Sequence, residues 1–180
     1  CSSDLNKKEK PLAVSLFERS VVKQAKFRNL CTYLGDTTGK RCLDLGIENG
    51  SISYFLRQRG GEWASADTDQ GSVETARDVL KDEVYLIEST RTPFRDKEFD
   101  VIVIVDLIEH VHDDKGFVRE LYRVLKKDGI LLIHAPYRKS ISLLRSFRYA
   151  LGLTDEKHGH VRAGYTLDEL QAVLPQGLIV

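Results

Sequence analysis

The stretch LDLGIENGS, Leu43 to Ser51, sets two glycines and two carboxylates directly after a short apolar run that starts at Arg41. Gly46 and Gly50 allow a tight turn and a close backbone approach, and the helical pattern that begins at Ser51 offers free amide groups at its start. Strand, glycine turn and helix in that order open a nucleotide-binding α/β unit. The dinucleotide fingerprint, however, needs G-x-G-x-x-G, and this loop reads G-I-E-N-G. The middle glycine is replaced by Glu48, and Asp44 and Glu48 stand where phosphate charge would lie. An anionic ligand is therefore disfavoured and a cationic one is not.

Working outward, short β-type runs alternate with helical segments, the pattern of an α/β, doubly wound and mainly parallel sheet with helices on both faces. The expected strands are Arg41–Leu45, Glu62–Ala66, Val84–Ile87, Asp100–Val105 and Gly129–His134. Helical spacing covers Ser51–Gln58, Ser72–Leu80 and Asp114–Lys127, with Gly129 suited to ending the third. Residues 1–40 predict one or two helices covering the sheet edge or the ligand cleft. After the fifth strand, Ser140–Leu151 reads as an amphipathic helix, and Thr166 with Glu169 forms a capping box for a last helix. Residues 177–180, GLIV, read as the start of a strand. The chain thus divides into N-terminal helices (1–40), a binding core (41–136), an insertion or lid (137–165) and a last helix (166–180), all within one domain.

Composition fits that frame. With 42% hydrophobic and 30% charged residues in 180, the chain reads as one globular domain. Its longest apolar runs, such as VIVIV at 101–105, fall short of the roughly 20 residues that cross a bilayer. Lys and Arg (27) balance Asp and Glu (27), which argues against a general nucleic-acid binder. Cys1, Cys31 and Cys42 lack metal-type spacing and fit a reduced, cytoplasmic compartment. CSSD at the start, with a lysine-rich tether, also resembles a processed lipoprotein. With no methionine and Cys1 at its head, the sequence reads as a fragment, or as one from which modified methionines are missing.

Ligands of open parallel sheets bind at the carboxyl ends of the strands. Asp67 lies 21 residues beyond Gly46, the distance at which an acid on the second strand accepts both hydroxyls of a ribose. A nucleoside with positive charge and no phosphate describes S-adenosylmethionine. At this point the chain resembles the class I S-adenosylmethionine-dependent methyltransferases, from about Arg41 to Leu170. LDLGIENG looks like that family's glycine-rich first motif and ASADTD like its second. LIESTRTPFRDKEFD looks like the adenine-side segment, and VDLIEHV with ELYRVLKKDGILLIHAP like the fourth- and fifth-strand segments.

The resemblance implies a cofactor set of Asp44, Leu45, Gly46, Ile47 and Gly50 near the methionine part. It places Asp67 on the ribose, Thr68 beside the adenine, Glu88 and the Ser89 amide at its amino group, and Val105, Asp106 and Leu107 on the sulfonium side. Glu48 and Glu88 depart from the family's glycine and aspartate. The style of match is to the small-molecule branch, with S-adenosylhomocysteine as product and a quinone-like, lipid or sugar acceptor at an undetermined atom. Two further strands are expected beyond this chain.

His110 and His134 are the candidate bases, needed only where the acceptor carries a proton at attack. Tyr137, Arg138, His158, His160, Arg162 and Tyr165 are the candidate substrate-side residues, whose basic surplus suits an anionic acceptor or membrane surface. Each also has a plainer reading, as local packing around a turn or as a solvated loop. No metal site is expected, because the two close histidines lack an acidic or cysteine partner. Two alternatives stay open: a non-catalytic cofactor-binding or assembly module, and a nicotinamide-dependent reductase, which the loop disfavours.

Overall fold

A computed structural model describes residues 10–138 and 161–175. Five parallel strands form one sheet: β1 (Arg41–Leu45), β2 (Glu62–Asp67), β3 (Val84–Leu86), β4 (Phe99–Val105) and β5 (Leu125–His134). The order β3-β2-β1-β4-β5 means that the chain winds outward from β1 on one side and then returns to start again on the other. The reversal falls between β1 and β4, where a crevice opens at the strand ends.

Helices pack on both faces, which is why β4 is apolar without interruption from Val101 to Val105. Its even positions Ile102 and Ile104 share a core with Phe117, Val118 and Leu121 of α5 (Asp114–Val124). Its odd positions Val101, Val103 and Val105 face Leu30 and Leu34 of α2 (Val21–Leu34) and Leu56 of α3 (Ser51–Arg57). Two more helices were expected and found beside these, α1 (Leu12–Arg19) and α4 (Gln70–Leu80), and α6 (Leu167–Val173) follows Tyr165. Ser20 alone separates α1 from α2: its extended backbone ends one helix and its hydroxyl accepts from Lys23 N to start the next. The Thr166–Glu169 capping box at α6 is present on both sides.

The expected end of the third crossover helix is corrected. α5 stops at Val124, Leu125 is extended (φ −77, ψ 136), and β5 begins there without a loop. Leu125 pairs with Phe99, and the register then jumps so that Val101 meets Ile130. Pairing and burial of Leu125 outweigh continued helix. Gly129 lies inside β5, where a Cβ would come within 2.6 Å of Leu125 Cδ1, so the glycine serves close packing. Elsewhere the expected ends differ by one or two residues, as at α4, where Asp69 caps Ser72 N at 2.7 Å and starts the helix earlier. The expected helix at 140–151 and the expected strand at 177–180 lie outside the described residues.

A half-buried ion pair fastens the β3–β4 connection to α5. Glu120 Oε1 accepts from the Thr92 amide and hydroxyl, both at 2.7 Å, and Arg123 Nε donates to Oε2 at 2.8 Å. The Arg123 hydrogen bond, with those of Thr92, pulls the Glu120 carboxyl down to about 2 from 4.5. A depressed acid stabilises the fold above its unfolded pKa and loses that contribution as pH falls through the folded value. Glu120→Gln should therefore cost up to about 3 kcal/mol in urea unfolding at pH 7, with the gap to wild type closing between pH 4.5 and about 2.

Candidate functional site

At the β1–β4 reversal lies a cavity of about 780 Å3. Its floor is the β1–α3 loop, Gly46 to Glu48; one end is Asp67 and Thr68 after β2, and the other is Val105, Asp106, Leu107 and His110 after β4. Its roof is the start of α2, with Ser20, Val22, Lys23 and Lys26.

The loop can form because Gly46 sits at φ +80 with its backbone against β4. A Cβ there would lie 2.0 Å from Val105 O. Glu48 takes a left-handed backbone (φ 49), a conformation that favours glycine, and its carboxylate reaches Lys23 Nζ at 2.9 Å. Asp44 points away from the cavity. It is 3% exposed and accepts from Ser65 Oγ at 2.6 Å, from Ser53 Oγ, and from Arg57 Nη1 at 3.5 Å. Both loop carboxylates are thus partnered within the protein, which corrects the picture of an uncompensated acidic loop.

Asp67 joins the two neighbouring loops. Its carboxylate oxygens accept from Ile47 N at 2.9 Å and Asp69 N at 3.1 Å. Burial pushes its carboxyl up and those amides oppose the shift. Asp106 takes a left-handed backbone (φ 47), its amide donating to His134 O at 2.9 Å. One of its oxygens meets His134 Nδ1 at 2.9 Å and the other Lys26 Nζ. Burial alone would raise this carboxyl; the His134 and Lys26 contacts outweigh burial and hold it below its usual range. Glu109, in the 310 turn Ile108–His110, is 1% exposed and its Oε2 has no hydrogen-bond partner among the described residues. Burial raises its carboxyl.

Of the expected cofactor residues, Gly46, Ile47, Asp67, Thr68, Val105, Asp106 and Leu107 line the cavity, and of the expected bases His110 does. Leu45 is core, and Gly50 turns the chain into α3 at φ +74. Glu88 is exposed and bridges to Arg91, Ser89 is half-buried, and neither lines the cavity. His134 reaches it only through Asp106.

The substrate-side candidates are placed as fasteners. Tyr137 bridges to Tyr165, and Arg138 pairs with Glu169. Arg162 contacts Asp114, the Tyr165 hydroxyl and, at 3.2 Å, His112 O. Tyr165 is buried and donates to Ile108 O at 3.2 Å; burial pushes its hydroxyl up to about 12. These contacts, with Val161 and Arg162 amides donating to Glu109 O at 3.2 and 3.3 Å, bind the segment beneath the β4 turn. His158 and His160 lie outside the described residues. Sequence reasoning missed Lys23 and Lys26. Their spacing of three marks one face of α2, but nothing local shows partners 25 and 80 positions away. Among the described residues no cluster of three or more His, Cys, Asp or Glu side chains is arranged for a metal, and no helix is long and apolar enough to cross a membrane.

Comparison with known proteins agrees with this geometry. Residues 43–133 match the family model described as a methyltransferase domain. Over 145 residues the chain is 27% identical to the ubiquinone biosynthesis O-methyltransferase of Pelagibacter ubique, covering 78% of this chain and 58% of that protein. Over 109 residues it is 34% identical to a ubiquinone/menaquinone biosynthesis C-methyltransferase of Vibrio parahaemolyticus, covering 55% and 42% respectively. The crystal structure of the YcgJ protein of Bacillus subtilis superposes with a TM-score of 0.68 at 25% identity, covering 83% of this chain and 66% of that one. The chain spans about half the length of these curated relatives.

Proposed function

The chain belongs to the methyltransferase-domain family, whose members use S-adenosylmethionine, and from that premise we propose that it moves a methyl group from this cofactor to a small-molecule acceptor. The observation that carries the reading is Asp67. It is a buried carboxylate at the end of β2, facing a cavity whose floor, the Gly46 turn, lies tight against β4 because Gly46 has no side chain. The residues present fit the cofactor. Asp67 would hold the ribose, Thr68 would flank the adenine, and Val105 with Leu107 would give the sulfonium an apolar wall. When bound, the cofactor supplies a methyl group on an already activated sulfur. The chain's own task is to orient the acceptor atom and exclude water, an effect of roughly 7–11 kcal/mol in favourable intramolecular cases.

The printed functions of the relatives favour a quinone-like acceptor, methylated on oxygen or carbon, and the basic residues around the insertion suit one that is anionic or lipid-like. His110, at the β4 end of the cavity, is the proposed base for a hydroxyl acceptor, with His134 acting through Asp106. His110→Ala should lower kcat on such an acceptor by about a hundredfold or more and leave S-adenosylhomocysteine affinity within about twofold. An unchanged kcat removes His110 from the mechanism. Methyl release with a panel of phenols, hydroquinones, lipids and sugars tests the enzyme reading, and no turnover on any of them supports a non-catalytic module instead. The free cysteines Cys31 and Cys42 are consistent with the proposed cytoplasmic location.

A further inference from the structure

α1 is apolar on two sides. Val14 and Phe17 turn its inner side into the protein, while Leu12 (74% exposed) and Leu16 (51% exposed) stand in solvent on the other. Positions 12, 16 and 19 are spaced by four and three, so Arg19 shares the outer stripe. Just past the Ser20 break, at the start of α2, come Val21 (76% exposed) and Val22 (74% exposed). With Tyr33, Leu12, Val21 and Val22 are the most exposed large apolar side chains among the described residues. Scattered apolar residues are ordinary on a protein surface, but a cluster within three helical turns of chain marks a contact face.

We propose that the outer side of α1 and the start of α2 are a docking surface for an anionic lipid bilayer, with Leu12, Leu16, Val21 and Val22 entering the boundary between headgroups and acyl chains. α1 has eight residues, far too few to cross a bilayer, so it lies along the surface.

Charge selects this occupant. Residues 10–34 hold five Lys and Arg against one Glu, in a chain whose charges balance, so the remainder is net acidic. The acids in or against the two helices are matched: Glu18 pairs with Lys10 at 2.7 Å, Glu48 with Lys23 at 2.9 Å, and Asp106 with Lys26. Arg19 and Arg28 are left as a positive surplus, and Arg19 lies on the apolar stripe itself. Apolar side chains flanked by cations suit the negative surface of a membrane leaflet, where each basic residue adds attraction. A second copy of the chain would set the same cations against one another. Val22 also lines the cavity, so the surface runs up to the cavity mouth. On the acceptor reading above, docking would bring that mouth against lipid and spare an apolar acceptor a passage through water. The docking itself does not depend on that reading.

Co-sedimentation of the whole chain with lipid vesicles tests the surface apart from any cofactor or methyl transfer. Vesicles of phosphatidylcholine and phosphatidylglycerol in equal parts should carry the chain down, and less so as salt rises. The paired change Leu12→Ser and Leu16→Ser should lower the partition coefficient by about tenfold or more. Arg19→Gln should lower it about fivefold on these vesicles and leave partition onto phosphatidylcholine alone unchanged. Urea midpoints of both variants should match wild type, because the altered side chains are exposed. No binding to the mixed vesicles, or equal binding by the double-leucine variant, overturns the proposal. A lower urea midpoint in that variant also overturns it, since another part of the chain, such as residues 140–151, would then cover the face. So does a wild-type dimer in size-exclusion chromatography that the variant abolishes, in a chain that does not bind the vesicles.

Discussion

Asp67→Ala should lower the affinity for S-adenosylhomocysteine by about a hundredfold or more. A carboxylate that accepts from two ribose hydroxyls makes two charge-assisted hydrogen bonds of about 1.5–3 kcal/mol each, and a hundredfold corresponds to about 2.7 kcal/mol. The variant also removes the acceptor of Ile47 N and Asp69 N, so the cavity floor and the start of α4 lose their common anchor. Asp67→Glu keeps the charge but moves it by one methylene, and should recover only part of the loss. Methylthioadenosine should lose affinity as S-adenosylhomocysteine does, because both carry the ribose. A fall of less than threefold in a folded Asp67→Ala protein would mean that the ribose lies elsewhere.

Gly46→Ala should destabilise the fold by about 3 kcal/mol or more and leave little cofactor binding. The added Cβ would stand 2.0 Å from Val105 O and 3.0 Å from Leu107 Cβ, and the first of these is backbone in the central region of the sheet. The chain cannot relax by turning a side chain aside. It must part the loop from β4, with an overpacking cost of roughly 1–3 kcal/mol added to about 1–2 kcal/mol for a left-handed alanine at φ +80. Gly50→Ala is the milder comparison: its Cβ would meet Ala76 Cα at 3.1 Å, a contact that a small shift of α4 relieves, though φ +74 is still strained. Urea unfolding of the two variants should show the larger loss at Gly46. The reverse order would contradict the tight loop–β4 contact.

The parts of the fold set by local pattern were readable in the sequence. β1 runs from Arg41 to Leu45 as expected, since one apolar run between a turn and a glycine loop leaves little freedom in its ends. VIVIV could be read as a strand with both faces covered, because parallel sheets bury both. The end of α5 could not, since Val124 and Leu125 fit a helix face equally well and only pairing with Phe99 decides between helix and strand. In the site, Asp67 and Asp106 were found from their place at strand ends. The environment of Asp44 was hidden, because it depends on Ser53, Arg57 and Ser65 being brought beneath the loop by α3 and β2. Glu48 was legible as a departure from the glycine pattern, yet its partner Lys23 lies on a helix whose position over the cavity is a tertiary fact.

The central claim is that the cavity at the β1–β4 reversal binds S-adenosylmethionine rather than a dinucleotide. Calorimetric titration of the chain with S-adenosylhomocysteine and with nicotinamide dinucleotides tests it most directly. Saturable binding of S-adenosylhomocysteine, with no heat from either dinucleotide, is the predicted result; dinucleotide binding without S-adenosylhomocysteine binding would contradict it.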